Sequence, residues 1–381
     1  MEAEAIALVL RFFRDMTEPR KDNISHRLID IITVVLVGVI GGSDDYPSIE
    51  EYALDKQEFL RTFLKLPAGI PSASTLRRVM ARLDPAELEA AMAKWMELFC
   101  KSLAGKQIAL DGKTLRRSFN HAWKKMGLHV VSAWCVEDEL VLAQQAVGEK
   151  SNEIPTVPAI LKTLDLSGAV VSADALNCQK KTVQTILDGG ADYVLGVKGN
   201  QSNLEKQVSA LLDEALLEKF KGIQHSKTSG YERAHGREQK RSVYASSELV
   251  QYVGEREQWP GLKSIIMVIS ERTLLEKRSV ERRYYISSLE GDDAQRLGQL
   301  IRGHWGIENG EHWCLDMAFR EDESRLRVDH GDQNMAVMRR IALNLLKRDK
   351  TVKKGIHSKR LKAGRNDRYM LRVLTQGIDA K

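Results

Sequence analysis

The sequence predicts an α/β protein, in which an all-helical N-terminal domain is followed by a mixed β-sheet that carries a β-rich insertion. In the first region apolar residues recur at three-and-four spacing, which is typical of amphipathic helices. After residue 103 short apolar runs alternate with helical segments, a pattern that favours a mixed sheet. Strand-like segments with basic residues between them indicate the insertion. The predicted boundaries are 1–103 for the helical domain, 104–350 for the sheet domain, about 222–283 for the insertion and 351–381 for a basic C-terminal tail.

The helical domain has recognisable helix boundaries. Its most apolar run, residues 28–42, contains Asp30 and is shorter than the roughly 20 residues that cross a bilayer, so we predict a buried helix. Asp84 and Pro85 are typical of an N-cap followed by a first-turn proline. A loop rich in Pro and Gly, residues 66–75, ends in Ser and Thr residues that are suited to cap the next helix.

The sheet domain is predicted to contain three strands, then a helix, a strand, a helix, a strand and a helix. The first three strands can form an antiparallel meander, and helical crossovers then add parallel strands. Its predicted strands are 107–111, 128–136, 139–147, 168–174 and 191–197.

Two carboxylates come at or just past the ends of predicted strands. Asp111 closes an apolar run before Gly-Lys-Thr, and Asp174 closes another before a helix. Each by itself is equally consistent with a turn or N-cap aspartate. Because the first and fourth strands of this order can be neighbours, the two carboxylates would lie close together and repel unless a cation lay between them. Oxygen ligands of this kind favour Mg²⁺.

A third acid is expected from a predicted helix that spans residues 302–322 and is rich in ionisable and aromatic groups. Glu308 is the first choice, since the flanking Trp305 and Ile307 can anchor it, and Glu311 and Asp316 are the alternatives. A solvated position on the helix surface is the structural alternative for Glu308. Three carboxylates that hold one or two Mg²⁺ ions suit phosphoryl transfer.

The same segment also allows a zinc hypothesis. His304, Glu308 and His312 follow one another at intervals of four and could offer nitrogen and oxygen ligands from one side of a helix. The H-E-x-x-H pattern of zinc proteases is absent, however, because Glu311 directly precedes His312. We therefore favour the magnesium interpretation.

Three glycines, Gly303, Gly306 and Gly310, interrupt the predicted helix. Each costs a helix about 1 kcal/mol relative to alanine, so a compensating interaction is expected. Close approach of the sheet and close approach of a DNA backbone are both consistent with the pattern.

Charge is distributed unevenly along the chain. The formal net charge is +6, but residues 336–381 contain 14 Lys and Arg residues against three Asp and no Glu. A basic end on a mildly acidic body favours a polyanionic partner, with nucleic acid ahead of a membrane, although such tails are also often merely solubilising.

The four cysteines are far apart in the sequence and form no C-x-x-C pair. This spacing argues against a zinc ribbon or a disulfide framework and fits a reducing cytoplasm. The N-terminal residues lack the features of a signal peptide, so we expect a cytoplasmic protein with no membrane partner. The cysteines are Cys100, Cys135, Cys178 and Cys314.

Basic and aromatic groups near the predicted site are candidates for nucleic-acid contact. Lys198 lies in a strand-exit loop, and His235 and Arg237 lie in a basic turn of the insertion; both loops suit phosphate contact, and both are equally typical of solvated turns. The remaining candidates, near the predicted carboxylates, are Lys113, Arg302, His304 and Trp305.

An ordered set of sequence blocks resembles a known family. "ALDGKTLRRS", "VVSADALNCQK", "YVLGVKGNQ", "AHGRE", "RYYISSL" and "RGHWGIENGEHWCLDMAFREDESRLR" are similar to the signature blocks of the H-repeat-associated insertion-sequence transposases. The N-terminal "GIPSASTLRRVMARLDP" resembles the helical domain that precedes the catalytic domain in that family. The likeness runs from about residue 10 to 375 in order and spacing.

This resemblance implies a ribonuclease-H-like core with a DDE triad at Asp111, Asp174 and Glu308. It implies Mg²⁺-dependent hydrolysis at the ends of a bacterial insertion sequence, with Mn²⁺ as an alternative ion, and attack of the freed 3′-hydroxyl on target DNA. The expected partners are double-stranded DNA, as transposon ends and target, and a second copy of the chain in the DNA complex. The helical domain would bind DNA or dimerise, and the protein would associate with the nucleoid. The alternatives are a domesticated DNA-binding protein that does not transpose and a nuclease of the ribonuclease H fold.

Overall fold

The computed structural model shows a large mixed sheet with helices from both ends of the chain packed beside it. It describes residues 10–22, 24–119, 127–148, 152–234, 237–274 and 277–376.

The described helices fall into three groups: those before the sheet, those that connect its strands, and those that follow it. They are α1 (Leu28–Gly41), α2 (Tyr46–Asp55), α3 (Gln57–Arg61), α4 (Ala73–Arg82), α5 (Pro85–Met96), α6 (Glu153–Leu161), α7 (Lys180–Asp188), α8 (Ser202–Leu217), α9 (Ala294–Gly303), α10 (Trp313–Phe319), α11 (Gly331–Arg348), α12 (Ile356–Arg365) and α13 (Asp367–Leu374).

The strands form one sheet of nine in the order β3-β2-β1-β4-β5-β9-β8-β7-β6. They are β1 (Gln107–Thr114), β2 (His129–Cys135), β3 (Leu140–Ala146), β4 (Val170–Ala173), β5 (Asp192–Val197), β6 (Ser226–Ala234), β7 (Arg237–Ser246), β8 (Ser264–Leu274) and β9 (Lys277–Ser287). The first three strands pair antiparallel, whereas β4 and β5 add parallel to β1. The predicted meander and the parallel additions after it are therefore confirmed.

The predicted β-rich insertion is an extension of this sheet. Strands β6 to β9 pair antiparallel in sequence, and β9 then pairs antiparallel with β5, where Leu195 faces Ile286. Helix α9 packs against β6 and β7 and returns the chain toward β1. The insertion thus ends with the segment that contains Glu308 crossing the central strands.

Helix α1 is buried, as its composition predicts. Its residues from Asp30 to Ile40 are all buried, and Gly42 ends it with a φ of 110°. A helix that is apolar all round must be surrounded by other elements, and α2, α11 and α12 supply them. Asp30 accepts a hydrogen bond from the Leu66 amide at 3.1 Å, which satisfies part of its buried carboxylate. Among the helices described, none combines the length and the apolarity that a membrane crossing requires.

The predicted helix caps are also present. Ser72 accepts a hydrogen bond from the Thr75 amide at 3.3 Å at the start of α4, and Asp84 accepts one from Ala86 at 2.9 Å at the start of α5. Each side chain satisfies an amide that the first helical turn leaves without a partner.

Helix α11 joins the N-terminal helices to the sheet. It packs against α1, α4, α5 and strand β3. Asn344 donates to the carbonyl of Val141 at 2.8 Å and accepts from its amide at 2.9 Å, so one side chain satisfies backbone groups on the outer side of edge strand β3. One continuous apolar core therefore runs from the N-terminal helices through α11 into the sheet.

The structure differs from the prediction of a basic tail after residue 350. Residues up to 374 form α12 and α13, and two of their cations, Lys359 and Arg360, are buried inside the protein. Arg360 is buried and donates to the carbonyl of Val39 at 3.0 Å, near the C-terminal end of α1, and to Asp44 at 2.9 Å. Cations stabilise the carbonyl end of a helix, so these basic residues have a packing role that charge counting does not reveal.

Glu89 on α5 provides a test of the packing between α5 and α11. Burial raises the pKa of Glu89 to about 7 from 4.5, against a hydrogen bond from Gln333. Above pH 7 the folded protein must hold a charge that the unfolded chain carries freely, whereas well below pH 4.5 both states are protonated. We expect Glu89→Gln to be more stable than the parent protein by about 2–3 kcal/mol at pH 8, with most of the difference lost at pH 4.5 and the remainder lost below it. Denaturant unfolding at several pH values measures it. The exposed Glu97→Gln serves as the control and should show no such trend; equal stability of Glu89→Gln and parent at pH 8 would contradict the prediction.

Candidate active site

Asp111 lies inside strand β1, not at its end as predicted, because β1 continues to Thr114. Its antiparallel neighbour on β2 is Ser132. The parallel partner β4 is shorter: it ends at Ala173, which pairs with Leu110. Asp111 and Asp174 therefore both follow the last residue pair between β1 and β4, and the predicted adjacency of these two strands is confirmed.

Asp174 also has the turn role that was the alternative interpretation. Its Oδ1 accepts hydrogen bonds from the backbone amide of Asn177 at 3.2 Å and from its side-chain amide at 3.1 Å. The residue is exposed and lines the same cavity as Asp111. Both hydrogen bonds go to Oδ1, so the turn leaves Oδ2 of Asp174 available to bind a ligand.

The segment that was predicted as one helix is interrupted. Helix α9 ends at Gly303, and residues Glu308–His312 form a π-helical turn before α10 begins. Such wide turns are frequent at functional sites, because they change the direction of neighbouring side chains. Here the Glu308 side chain is 53% exposed, whereas the His312 side chain is 9% exposed.

The glycines of this segment allow close approach to the sheet, which was one of the two expected explanations. A Cβ atom on Gly303 would overlap the side-chain oxygen of Gln107, and one on Gly310 would lie 2.6 Å from the ring of Trp134. Gln107 in turn donates to the Leu300 carbonyl at 2.7 Å. The sheet and the segment are therefore in contact at both ends of the stretch that contains Glu308.

Asp111, Glu308 and His312 form a compact group. Their candidate ligand atoms all lie within 4.8 Å of one another. Nδ1 of His312 is 3.6 Å from Oδ2 of Asp111 and 3.6 Å from Oε2 of Glu308. The imidazole therefore lies between the two carboxylates.

The electrostatics of this group favour a cation. Burial raises the pKa of Asp111 to about 7, with the Glu308 and Asp174 charges acting in the same direction. A hydrogen bond with His312 lowers the pKa of Glu308. Burial disfavours the charged form of His312, but Glu308, Glu311 and Asp111 together hold the pKa of its imidazole above its usual value. Carboxylates that are held together and partly desolvated in this way are stabilised by positive charge.

The two alternative acids are occupied elsewhere. Glu311 is fully buried; its Oε1 lies 2.8 Å from Nε of Arg340 and accepts a hydrogen bond from Ser132 at 2.7 Å. Asp316 forms an ion pair with Lys113 at 2.5 Å. Of the three acids considered in this segment, Glu308 is the one grouped with Asp111.

The structure brings together a different set of residues from the one that the zinc hypothesis named. The ring of His304 is directed at Ser172, with Nδ1 3.3 Å from the Ser172 hydroxyl. In the part of the chain that the structure describes, His312 rather than His304 joins Glu308 and Asp111 in a group with ligand spacing.

A cavity of about 500 Å³ opens over these carboxylates. Three acids line it near β1, β4 and the π-turn, and the wall near β5 and β9 carries most of the basic residues together with two further acids. The acidic residues are Asp111, Asp174, Glu205, Glu281 and Glu308, and the basic ones are Lys198, Arg282, Arg283 and His304. The cavity thus combines acidic groups that suit a cation with basic groups that suit a phosphate chain.

Some predicted nucleic-acid contacts face this cavity. Lys198 is exposed at the end of β5 and lines it. Trp305 is 47% exposed, and the guanidinium of Arg283 lies 5.3 Å from its ring centroid. Of the two predicted anchors, Trp305 therefore lies at the surface, whereas Ile307 is fully buried as expected. His304 lines the same cavity.

Other predicted contacts are placed differently. Arg302 is exposed and forms an ion pair with Glu232 at 2.8 Å. Lys113 is only 8% exposed and pairs with Asp316 and Asp322, which argues against a direct phosphate contact. His235 and the side chain of Arg237 lie outside the described residues.

The sequence analysis missed a polar chain behind Asp174. The Asn177 side chain donates to Oε2 of Glu153 at 2.8 Å, Oε1 of Glu153 lies 2.6 Å from Nε2 of His129, and the other ring nitrogen lies 2.6 Å from the Thr114 hydroxyl. The chain links α6, β2 and β1 to the loop of Asp174. No motif marks it, because its members come from separate parts of the sequence. Arg282 and Arg283 were also missed, although the Arg-Arg pair in "ERRYYISS" is a visible signal of a basic cavity wall.

Comparisons with known proteins place the chain in a family. Residues 104–345 match the model described as "Transposase DDE domain", and residues 10–96 match the model described as "DDE_Tnp_1-associated". The chain is 35% identical over 358 residues to the "Putative transposase YncI" of Escherichia coli O157:H7, covering 93% of this chain and 91% of that protein. It is 33% identical over 359 residues to the "H repeat-associated putative transposase YhhI" of Escherichia coli strain K12, covering 92% and 93%.

Among solved structures, the chain is similar to the piggyBac transposase in its synaptic complex with hairpin DNA. The TM-score is 0.40 at 13% identity, with 99% of this chain and 80% of that chain covered. This likeness is too low to assign the fold.

The family models and the Escherichia coli relatives define the chain as a transposase. The protein belongs to the DDE transposase family and is similar over nearly its whole length to the H-repeat-associated transposases.

Gly112 tests the polar chain behind Asp174. A Cβ atom at this position would overlap the Glu153 carboxylate, 2.6 Å from its Cδ, and lie 2.5 Å from Nε2 of His129. We expect Gly112→Ala to cost about 1–3 kcal/mol of folding free energy and to impair metal-dependent DNA cleavage. Gly199→Ala is the control, since a Cβ atom there meets nothing within 4 Å. Thermal unfolding and a cleavage assay measure the two effects. Full activity of Gly112→Ala would show that the hydrogen-bonded side chains from Asn177 to Thr114 do not position the site.

Proposed function

We propose that this transposase hydrolyses a phosphodiester at the ends of a bacterial insertion sequence and joins the freed 3′-hydroxyl to target DNA. Asp111, Asp174 and Glu308 are the proposed metal ligands. The observation that carries the proposal is the grouping of Asp111 with Glu308, from a segment far along the chain, in a cavity that Asp174 also lines. The strand order β3-β2-β1-β4-β5, with an antiparallel meander and two parallel additions, supports a ribonuclease-H-like core.

The residues present fit Mg²⁺, with Mn²⁺ as an alternative. Carboxylate oxygens are the ligands that these hard cations prefer, and Asp111 is a partly desolvated carboxylate beside two other acids. Bound ions would activate the attacking oxygen and stabilise the leaving oxygen. His312 is a positioning residue in this proposal, since its imidazole lies 3.6 Å from both Asp111 and Glu308 and so holds their orientation.

The basic wall of the cavity is the proposed contact for the DNA backbone. Lys198 and Arg283 both line this wall, and Arg283 also pairs with Glu281 at 2.8 Å. Trp305 is exposed beside Arg283 and offers an aromatic surface to a sugar or base. Double-stranded DNA, as element end and as target, is therefore the proposed partner, and association with the nucleoid follows from it.

A homodimer is proposed for the DNA complex, because two element ends must be processed together. The helical region before residue 104 is proposed to bind DNA or to dimerise.

The acids are tested one at a time. We expect Asp111→Asn, Asp174→Asn and Glu308→Gln each to reduce cleavage of element-end DNA by at least about 100-fold while DNA binding is retained, because the lost ligand contributes mainly to the reaction. Glu323→Gln, at an exposed acid shortly after α10, is the matched control. Cleavage and binding are measured on the same labelled duplex with and without Mg²⁺.

Three results would point elsewhere. Normal cleavage by Glu308→Gln would reject it as the third acid. DNA binding with a steep salt dependence but no metal-dependent cleavage by the parent protein would favour a non-transposing DNA-binding protein. Cleavage without strand transfer would favour a nuclease.

Lys198 tests the basic wall. We expect Lys198→Ala to weaken binding to all DNA sequences alike and to reduce the slope of log K against log salt by about 1, since one phosphate contact is lost. Lys221→Ala, at an exposed lysine outside the cavity, should leave the slope unchanged. Titrations at several salt concentrations measure both, and an unchanged slope in Lys198→Ala would remove it from the proposed interface.

A further inference from the structure

A second group with metal-ligand spacing lies away from the carboxylates of the cavity. Cys100 is in the connection between α5 and β1, Cys135 is the last residue of β2, and Asp138 is in the turn between β2 and β3. The candidate ligand atoms of these three residues all lie within 4.8 Å of one another. Residues 35 positions apart in the sequence thus bring two thiols and a carboxylate together.

The contacts within this group are specific. Sγ of Cys135 is 3.5 Å from Oδ2 of Asp138. The ammonium of Lys106 donates to the same oxygen at 2.7 Å and lies 3.4 Å from Sγ of Cys100. Cys135 is buried and Cys100 is half-buried, so the group is enclosed on the protein side and reachable from solvent.

We propose that Cys100, Cys135 and Asp138 bind a thiophilic divalent cation, Zn²⁺, at a site separate from the catalytic carboxylates. The proposal does not depend on the transposition chemistry. Thiolate ligands distinguish this site from the oxygen-rich cavity, because Mg²⁺ avoids sulfur whereas Zn²⁺ prefers it.

The distances suit tetrahedral zinc. With Zn–S near 2.3 Å and Zn–O near 2.0 Å, a tetrahedral angle puts the sulfur and oxygen about 3.5 Å apart. The distance between Cys135 and Asp138 is also 3.5 Å. A further carboxylate, Glu137, has Oε2 4.0 Å from Sγ of Cys135 and can supply a fourth ligand, or water can.

The charges also balance. Two thiolates and one carboxylate carry three negative charges, and Zn²⁺ with the Lys106 ammonium supplies three positive ones. Lys106 can keep its hydrogen bonds, because a carboxylate oxygen that coordinates a metal still has a lone pair for a donor.

The site would connect two parts of the fold. Cys100 follows the N-terminal helices, and Cys135 and Asp138 belong to the hairpin next to β1, which carries Asp111. On β2, Cys135 is three residues beyond Ser132, the partner of Asp111, a separation of about 10 Å along the strand. Bound zinc would therefore tie the helical region to the hairpin without entering the catalytic cavity.

Cobalt reports directly on thiolate ligands. Full-length protein with Co²⁺ added is expected to show the intense near-ultraviolet absorption of thiolate-to-metal charge transfer, which oxygen ligands at Asp111 and Glu308 cannot produce. Zn²⁺ should displace the ion and abolish the band. We expect Cys100→Ser and Cys135→Ser each to lose the band, and Asp138→Asn to weaken Zn²⁺ affinity at least about tenfold. Cys178→Ser, at a buried thiol remote from the group, should retain it.

Two controls separate metal binding from misfolding and from redox chemistry. Circular dichroism and thermal unfolding without metal should be similar for parent and Cys100→Ser, whose site is half-buried, and added Zn²⁺ should raise the melting temperature of the parent only. The proposal is overturned if the parent shows no charge-transfer band. It is equally overturned if the band survives in both cysteine variants. A third contrary result is that peroxide oxidises Cys100 and Cys135 to a disulfide equally fast in metal-free and in zinc-treated protein, since bound Zn²⁺ should protect the thiols.

Discussion

A buried guanidinium holds the segment that contains Glu308 in place. Arg340 on α11 is fully buried; its Nε lies 2.8 Å from Glu311 and its Nη1 3.2 Å from Glu321. Glu311 also accepts a hydrogen bond from Ser132 on β2, the strand partner of Asp111. Removing one partner of a buried ion pair typically costs about 3–5 kcal/mol, so this network strongly constrains the π-turn. The position of Glu308 beside Asp111 follows from that constraint.

The same arrangement explains why the two ends of the chain pack together. Helix α11, which carries Arg340, lies against the N-terminal helices and against β3, and Arg360 of α12 covers the carbonyl end of α1. The helices are thus part of the support of the site, because they bury the helix that holds the π-turn. Four cations near the C-terminus, Arg339, Arg340, Lys359 and Arg360, are buried within this support, whereas most of those after residue 350 are exposed.

The distinction between Glu308 and its alternatives illustrates the limit of helical spacing. In a regular helix Glu308 and Glu311 are neighbours on one face. The π-turn separates them, so that Glu311 enters the core and meets Arg340 while Glu308 stays half-exposed beside Asp111. Asp316 instead forms an ion pair with Lys113. The position of Lys113 in "DGKT" does not indicate this partner.

The sequence by itself determined the meander, the adjacency of β1 and β4, the buried helix and the caps, because these depend on local periodicity and turn residues. It also proposed the three acids, through an ordered set of motifs. Tertiary structure alone decided which groups are adjacent. It places His312 beside two carboxylates, links Asn177 to Thr114 through hydrogen-bonded side chains, and brings the free thiols of Cys100 and Cys135 close together. The physical reason is that burial and contact between distant segments depend on how the sheet and helices pack. No spacing within one segment records that packing.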